Sequence, residues 1–261
     1  MKRNHIAALF ILVSLCLASC NKLTNGEPTT EKRSVGSFSA ISMHNNVNVK
    51  LIQDAHPRLE LTCPKNLIEK VKTEVIDNTL YIKNENDLNW IRDFDYSIDL
   101  TVYYDSLRKI EYASIGDLQS LESTPIMGMY EWEIHRDTTG AVIDSSWVRY
   151  LYLNINEGCG DIDLNLDCDR LINNFPNGTS HVTLRGKVAY SDHVTLSYGP
   201  IHAEELKSNF VRVRSESTND VYVWAETGLR VWLYSIGNVY YKGSPATNIE
   251  TCESDGRLIP L

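Results

Sequence analysis

The sequence predicts an all-β protein: a parallel, right-handed β-helix or β-roll with rungs of about 19 residues, preceded by a β-rich N-terminal lobe with one short helix. Three observations predict it. Apolar and polar residues alternate along most of the chain, as half-buried strands require. Short turns recur at near-constant spacing through the second half. Helical periodicity is confined to one brief stretch.

The alternation runs through Val47-x-Val49-x-Leu51, Leu59-x-Leu61, Leu80-x-Ile82, Ile98-x-Leu100-x-Val102 and Leu151-x-Leu153-x-Ile155. The helical stretch is Pro64 to Val75, with Leu67, Ile68 and Val71 on one face and proline near its start.

The recurring turns begin at Gly158, Gly178, Ser197, Ser217, Ser235 and Ser254. They close on Ile162, Val182, Ile201, Val221, Val239 and Leu258, spaced 20, 19, 20, 18 and 19 residues apart. Units this short cannot bury an apolar face alone, so they must stack. Apolar pairs precede the turns (Leu153/Ile155, Val194/Leu196, Val211/Val213, Val231/Leu233) and follow them (Ile162/Leu164, Val182/Leu184, Val221/Val223, Val239/Tyr241). Glycine and asparagine suit such corners because they tolerate positive φ. A sandwich of regular antiparallel hairpins is the competing architecture. Tyr112 to Leu118 reads as one more turn and strand, but Leu118 stands 44 residues before Ile162. A β-hairpin inserted at 124–147 accounts for the gap.

At the N-terminus, Lys2 and Arg3 precede an uncharged apolar run, Ile6 to Leu17. It is short of the roughly 20 residues that span a bilayer and has the length of a signal-peptide core. Leu17-Ala18-Ser19-Cys20 follows and resembles a lipobox, in which the cysteine is acylated and the chain cut before it. The expectation is a signal peptide over 1–19, lipid attachment at Cys20, and a polar tether over 20–32. An N-terminal lobe with the first rungs covers 33–118, and the C-terminal solenoid covers 148–261. The chain is then expected on the outer membrane, in the periplasm or facing outward, attached through lipid at Cys20.

Removing 19 of the 261 residues leaves 242, and losing Lys2 and Arg3 takes the net charge from −9 to −11. Such acidity argues against nucleic acid, whose binding rests on neutralising phosphates. Four cysteines remain, Cys63, Cys159, Cys168 and Cys252. An exported compartment permits disulfides, and sequence leaves both their pairing and their existence open.

The chain also resembles a known family, the head GIN domain or putative auto-transporter adhesins of exported bacterial proteins. The resemblance rests on Arg33-Ser34-Val35-x-x-Phe38-x-x-Ile41, Asn46-Val47-Asn48-Val49-Lys50-Leu51, Asn66-Leu67-Ile68-x-Lys70-Val71, Thr79-Leu80-Tyr81-Ile82 and Val239-Tyr240-Tyr241-Lys242-Gly243-Ser244-Pro245. It implies a β-solenoid with a β-rich N-terminal lobe and a role in adhesion. The family's Ser-Gly-Ser-Gly turns are eroded, and only Gly158-Cys159-Gly160 keeps both glycines.

Asp161, Asp163, Asn165, Asp167 and Asp169 share one strand face, which suggests a hard cation. No carboxylate ladder continues in later rungs, so a solvated face is the expectation and no metal site is assigned. A polysaccharide lyase or hydrolase is the alternative function. Its local candidates are Asp161, Asp163, Asp167 and Arg185, and exposed carboxylates stay unshifted without burial. No catalytic residue or cofactor is therefore assigned. His135, His181, His193 and His202 have no ligand spacing and read as surface residues. Tyr130, Trp132, Trp147, Tyr150 and Tyr152 cluster around the inserted hairpin. They are the candidate surface for a glycan or an extracellular protein, since Tyr and Trp dominate hot spots.

Overall fold

The computed structural model describes residues 26–86 and 96–261. Cys20, the signal peptide and the first part of the tether lie outside them.

The strands in chain order are β1 (Pro28–Ser34), β2 (Ala40–Asn45), β3 (Asn48–Gln53), β4 (Arg58–Pro64), β5 (Val71–Ile76), β6 (Thr79–Asn84), β7 (Asp99–Tyr104), β8 (Lys109–Ser114) and β9 (Leu118–Ser120). They continue with β10 (Met129–Arg136), β11 (Val142–Gly158), β12 (Ile162–Phe175), β13 (Val182–Thr195), β14 (Ile201–Ser215), β15 (Val221–Leu233), β16 (Val239–Lys242), β17 (Ala246–Cys252) and β18 (Leu258–Pro260). All belong to one curled, open sheet.

Parallel pairing folds this sheet into two flanks. One runs β7–β3–β9, then through the first halves of β12 to β15, to β16 and β18. The other runs β6–β2–β8, the end of β11, the second halves of β12 to β15, and β17. Ile162 pairs with Leu118 on one side and Val182 on the other, so the 44-residue gap closes in register. Antiparallel strands finish the N-terminal end, β4 on β7, β1 on β4, and β5 on β6. The core lies between the flanks, where the alternating residues named from sequence, such as Leu51, Leu61, Ile82, Val102 and Leu153, are buried.

Three expectations need correction. The short helix is only a 3-10 turn, Ile68–Lys70. Val71, Thr73 and Val75 alternate as well as they fit a helix, and pairing with β6 takes them into a strand. Part of the expected tether is also strand, because β1 begins at Pro28 and pairs along its length with β4. Arg33 fixes it there, donating from Nη1 to the Val71 carbonyl at 2.7 Å and from Nη2 to the Ile68 carbonyl at 3.1 Å.

The third concerns which way one rung faces. Val194 and Leu196 were expected inside, yet Leu196 is 44% exposed. Ser191, His193 and Thr195 point inward instead and are fully buried. Register decides this: Ser191 pairs with Leu171 and Val211, and His193 with Asn173 and Val213. Leaving an apolar side chain outside forgoes about 1.5–3 kcal/mol. A one-residue slip would turn over every side chain of the strand and break pairing on both sides. The ladder wins, and His193 becomes interior, with Nδ1 3.3 Å from the Asn173 amide nitrogen. Burial pushes its pKa down from 6.5 to about 4.

The first two corners meet expectation, with positive φ at Gly158 (129°) and Gly178 (120°). Gly199, Gly237 and Gly256 do not have positive φ. Their need is space: a Cβ on Gly237 would fall 2.2 Å from the Asn219 carbonyl oxygen, and one on Gly199 2.1 Å from that of Ser180. Successive corners rest backbone on backbone. In several of these turns a serine two residues earlier closes the loop, as where Asn219 N–H donates to Ser217 Oγ at 2.9 Å and Gly116 N–H to Ser114 Oγ at 3.1 Å.

Gly237→Ala is expected to destabilise the protein by about 1–3 kcal/mol in urea unfolding, the cost of overpacking. Gly36→Ala, with nothing within 4 Å of its Cβ, is expected to stay within about 0.5 kcal/mol of wild type. Equal effects would contradict the stacked corners.

His193 gives a pH prediction. The folded state holds it neutral, so its contribution is complete above pH 6.5 and is lost as the unfolded chain takes up the proton, down to about pH 4. The loss amounts to about 3 kcal/mol. His193→Gln is expected to flatten the fall in stability between pH 7 and pH 4, measured by urea unfolding at each pH. Parallel curves for the two proteins would contradict it.

Candidate functional site

The inserted hairpin forms from β10 and the start of β11, turning at Asp137 to Ala141. Asp137 caps the turn, accepting from the Thr139 hydroxyl and from the N–H groups of Thr139 and Ala141, and these bonds, the hydroxyl's foremost, hold its carboxyl below the usual range.

The five aromatic residues named from sequence do not form one cluster, because strand alternation divides them between two faces. Trp132 and Trp147 lie directly opposite each other across the hairpin. Their rings meet edge to face at 5.3 Å, and they are 51% and 63% exposed. Tyr130 and Ile134 share that exposed face. Tyr150 and Tyr152 stack on the other face, ring centres 5.5 Å apart. There Arg108 pairs with Glu131 at 2.5 Å and Arg170 with Glu133 at 2.8 Å. Tyr152 donates to Glu131 at 3.3 Å. Partial burial, helped by Glu133, pushes the Tyr150 phenol up to about 12.

The aspartate strand is not a bare acidic face. Arg185 pairs with Asp163 at 2.6 Å, Lys187 with Asp167 at 3.1 Å, and Arg149 with Asp169 at 2.8 Å. Bases on the neighbouring rung and on the hairpin occupy the oxygens a cation would need. Among the described residues no group of three His, Cys, Asp or Glu is placed to hold a metal. The four described cysteines are free thiols. Burial pushes Cys63 up to about 11 and Cys168 up to about 12, which leaves both protonated and unreactive.

The histidines divide. His193 is interior, against the expectation of a surface residue. His181 and His202 are part of an outer stack that continues through Tyr222 and Tyr240, with centroid spacings of 5.6, 4.7 and 4.8 Å. On the second flank Tyr150, Arg170, Tyr190 and Phe210 fill one column. Sequence reasoning missed both columns. The signal was available: residues one position after each rung's closing apolar residue include His202, Tyr222 and Tyr240.

No helix among the described residues is long and apolar enough to cross a membrane. No curated protein matches the sequence. Solved structures do. A putative adhesin of Bacteroides fragilis NCTC 9343 is 19% identical with a TM-score of 0.76, covering 92% of this chain and 100% of its own. A putative lipid binding protein of Parabacteroides distasonis ATCC 8503 is 16% identical with a TM-score of 0.60, over 92% and 99%. A putative adhesin of Parabacteroides merdae ATCC 43184 is 14% identical with a TM-score of 0.54, over 92% and 98%. At these identities the likeness is one of fold. Residues 37–245 match a family model, and the chain belongs to the family described as "Putative auto-transporter adhesin, head GIN domain".

Proposed function

We propose that this chain is a lipid-anchored protein of the cell envelope, held at the outer membrane through Cys20, that uses a parallel, right-handed β-solenoid as a non-enzymatic binding scaffold. The projecting hairpin carries the reading. Trp132 and Trp147 pair across it while keeping more than half their surface in water. Large amphipathic rings held rigid by a directly opposed partner are the residues that anchor interfaces. The register offsets of 17 to 20 residues support the solenoid, and family membership supports adhesion. The partner on this reading is a glycan or an extracellular protein.

The test uses the full-length chain in intact cells. Labelled palmitate is expected in the wild-type protein, and Cys20→Ser is expected to remove both label and membrane retention. An unlabelled wild-type protein would sink the anchor. Trp132→Ala combined with Trp147→Ala is expected to cut cell adherence to glycan- and matrix-coated surfaces by at least about tenfold at unchanged protein level. Unchanged adherence would sink the role of the hairpin.

A further inference from the structure

The second flank carries a groove of about 520 Å³ lined by Tyr190, Phe210, Arg212, Arg230 and Trp232. The ladder sets these side chains in columns, with Tyr190 beside Phe210 and Arg212 beside Arg230. The Tyr190 and Phe210 rings are parallel within 1° at 5.7 Å. The next position of that column is Gly228, where a Cβ would fall 2.5 Å from the Phe210 ring, so glycine makes room for it. Arg212 lies 5.4 Å over Trp232, and Arg230 lies 5.8 Å over Phe210.

Both guanidiniums are loosely paired. Arg212 has Asp192 at 3.4 Å and the Tyr190 hydroxyl at 3.4 Å. Arg230 has Glu250 at 3.8 Å. On an otherwise acidic protein this groove concentrates two planar cations between aromatic walls. A guanidinium suits carboxylate and sulfate geometry, and the rings offer apolar faces.

We infer that this groove binds an acidic polysaccharide, its anionic groups meeting Arg212 and Arg230 while its sugar rings pack against Trp232 and Phe210. Successive rungs repeat at about 4.8 Å, so the flank presents like chemistry at regular intervals. A polymer of repeating anionic rings matches that surface. An acidic peptide would supply carboxylates without flat C–H faces for the aromatic walls. The inference rests on the scaffold reading above but involves none of the hairpin residues.

The test is calorimetric titration of the full-length protein in detergent micelles with three probes: a galacturonic acid hexamer, its neutral galactose counterpart, and a polyglutamate of equal charge. The hexamer is expected to bind, with the other two at least about tenfold weaker. Arg212→Gln with Arg230→Gln is expected to weaken the hexamer at least about tenfold, and Trp232→Ala to weaken it as well. Trp132→Ala with Trp147→Ala is expected to leave it unchanged, which separates failure of this site from failure of the hairpin. All five side chains are at least partly exposed, and an unchanged urea midpoint identifies variants that still fold. No binding of the hexamer, equal binding of polyglutamate, or indifference to the arginine variants would overturn the inference.

Discussion

From β11 to β16 the long strands hydrogen-bond to one another in parallel, and that ladder sets where their side chains go. Because successive strands pair at offsets of 17 to 20 residues, equivalent positions pile into columns about 4.8 Å apart. At the corners the constraint is tightest. A carbonyl of one rung touches the backbone of the next, which leaves room for glycine and for small turn-closing serines. Inside, the ladder keeps its register even where the sequence offers serine and histidine in place of valine and leucine.

On the outside the same constraint multiplies surface chemistry. A residue type that recurs at one rung position becomes a stripe, as with His202, Tyr222 and Tyr240 on one flank and Tyr190 and Phe210 on the other. Stacked rings cover one another's faces, so a tight stack is chiefly a support. Rings at the edge of a column, or set beside guanidiniums, keep surface for a partner. The tip of the hairpin projects beyond the ladder, while its base is tied to it by Glu131–Arg108, Glu133–Arg170 and Arg149–Asp169. It leaves between β9 and β12, and Leu118 and Ile162 still pair in register.

Much of the fold could be read from sequence because the repeat is written in it. The closing residues Ile162, Val182, Ile201, Val221 and Val239 align in the structure as their spacing requires. Pro64 to Val75 was misread because Leu67, Ile68 and Val71 fit a helical face while Val71, Thr73 and Val75 fit a strand, and only pairing with β6 decides. Val194 and Leu196 were misread because hydrophobicity says which residues prefer the interior, whereas register says which ones reach it. The aromatic surface was half legible: proximity in sequence grouped five residues that strand parity places on opposite faces. The groove on β13 to β15 was invisible, since its residues are separated by whole rungs and meet only through the ladder.

The register itself can be measured most directly with paired cysteines in a background lacking Cys159 and Cys252. Lys187 and Lys207 are exposed partners on adjacent rungs, and Ser208, the next residue, is buried on the opposite face. Lys187→Cys with Lys207→Cys is expected to close a disulfide under mild oxidation, because directly paired Cα atoms lie within bonding range. Lys187→Cys with Ser208→Cys is expected to stay reduced. Faster closure of the second pair would contradict the in-register ladder on which the interior, the corners and the binding surfaces depend.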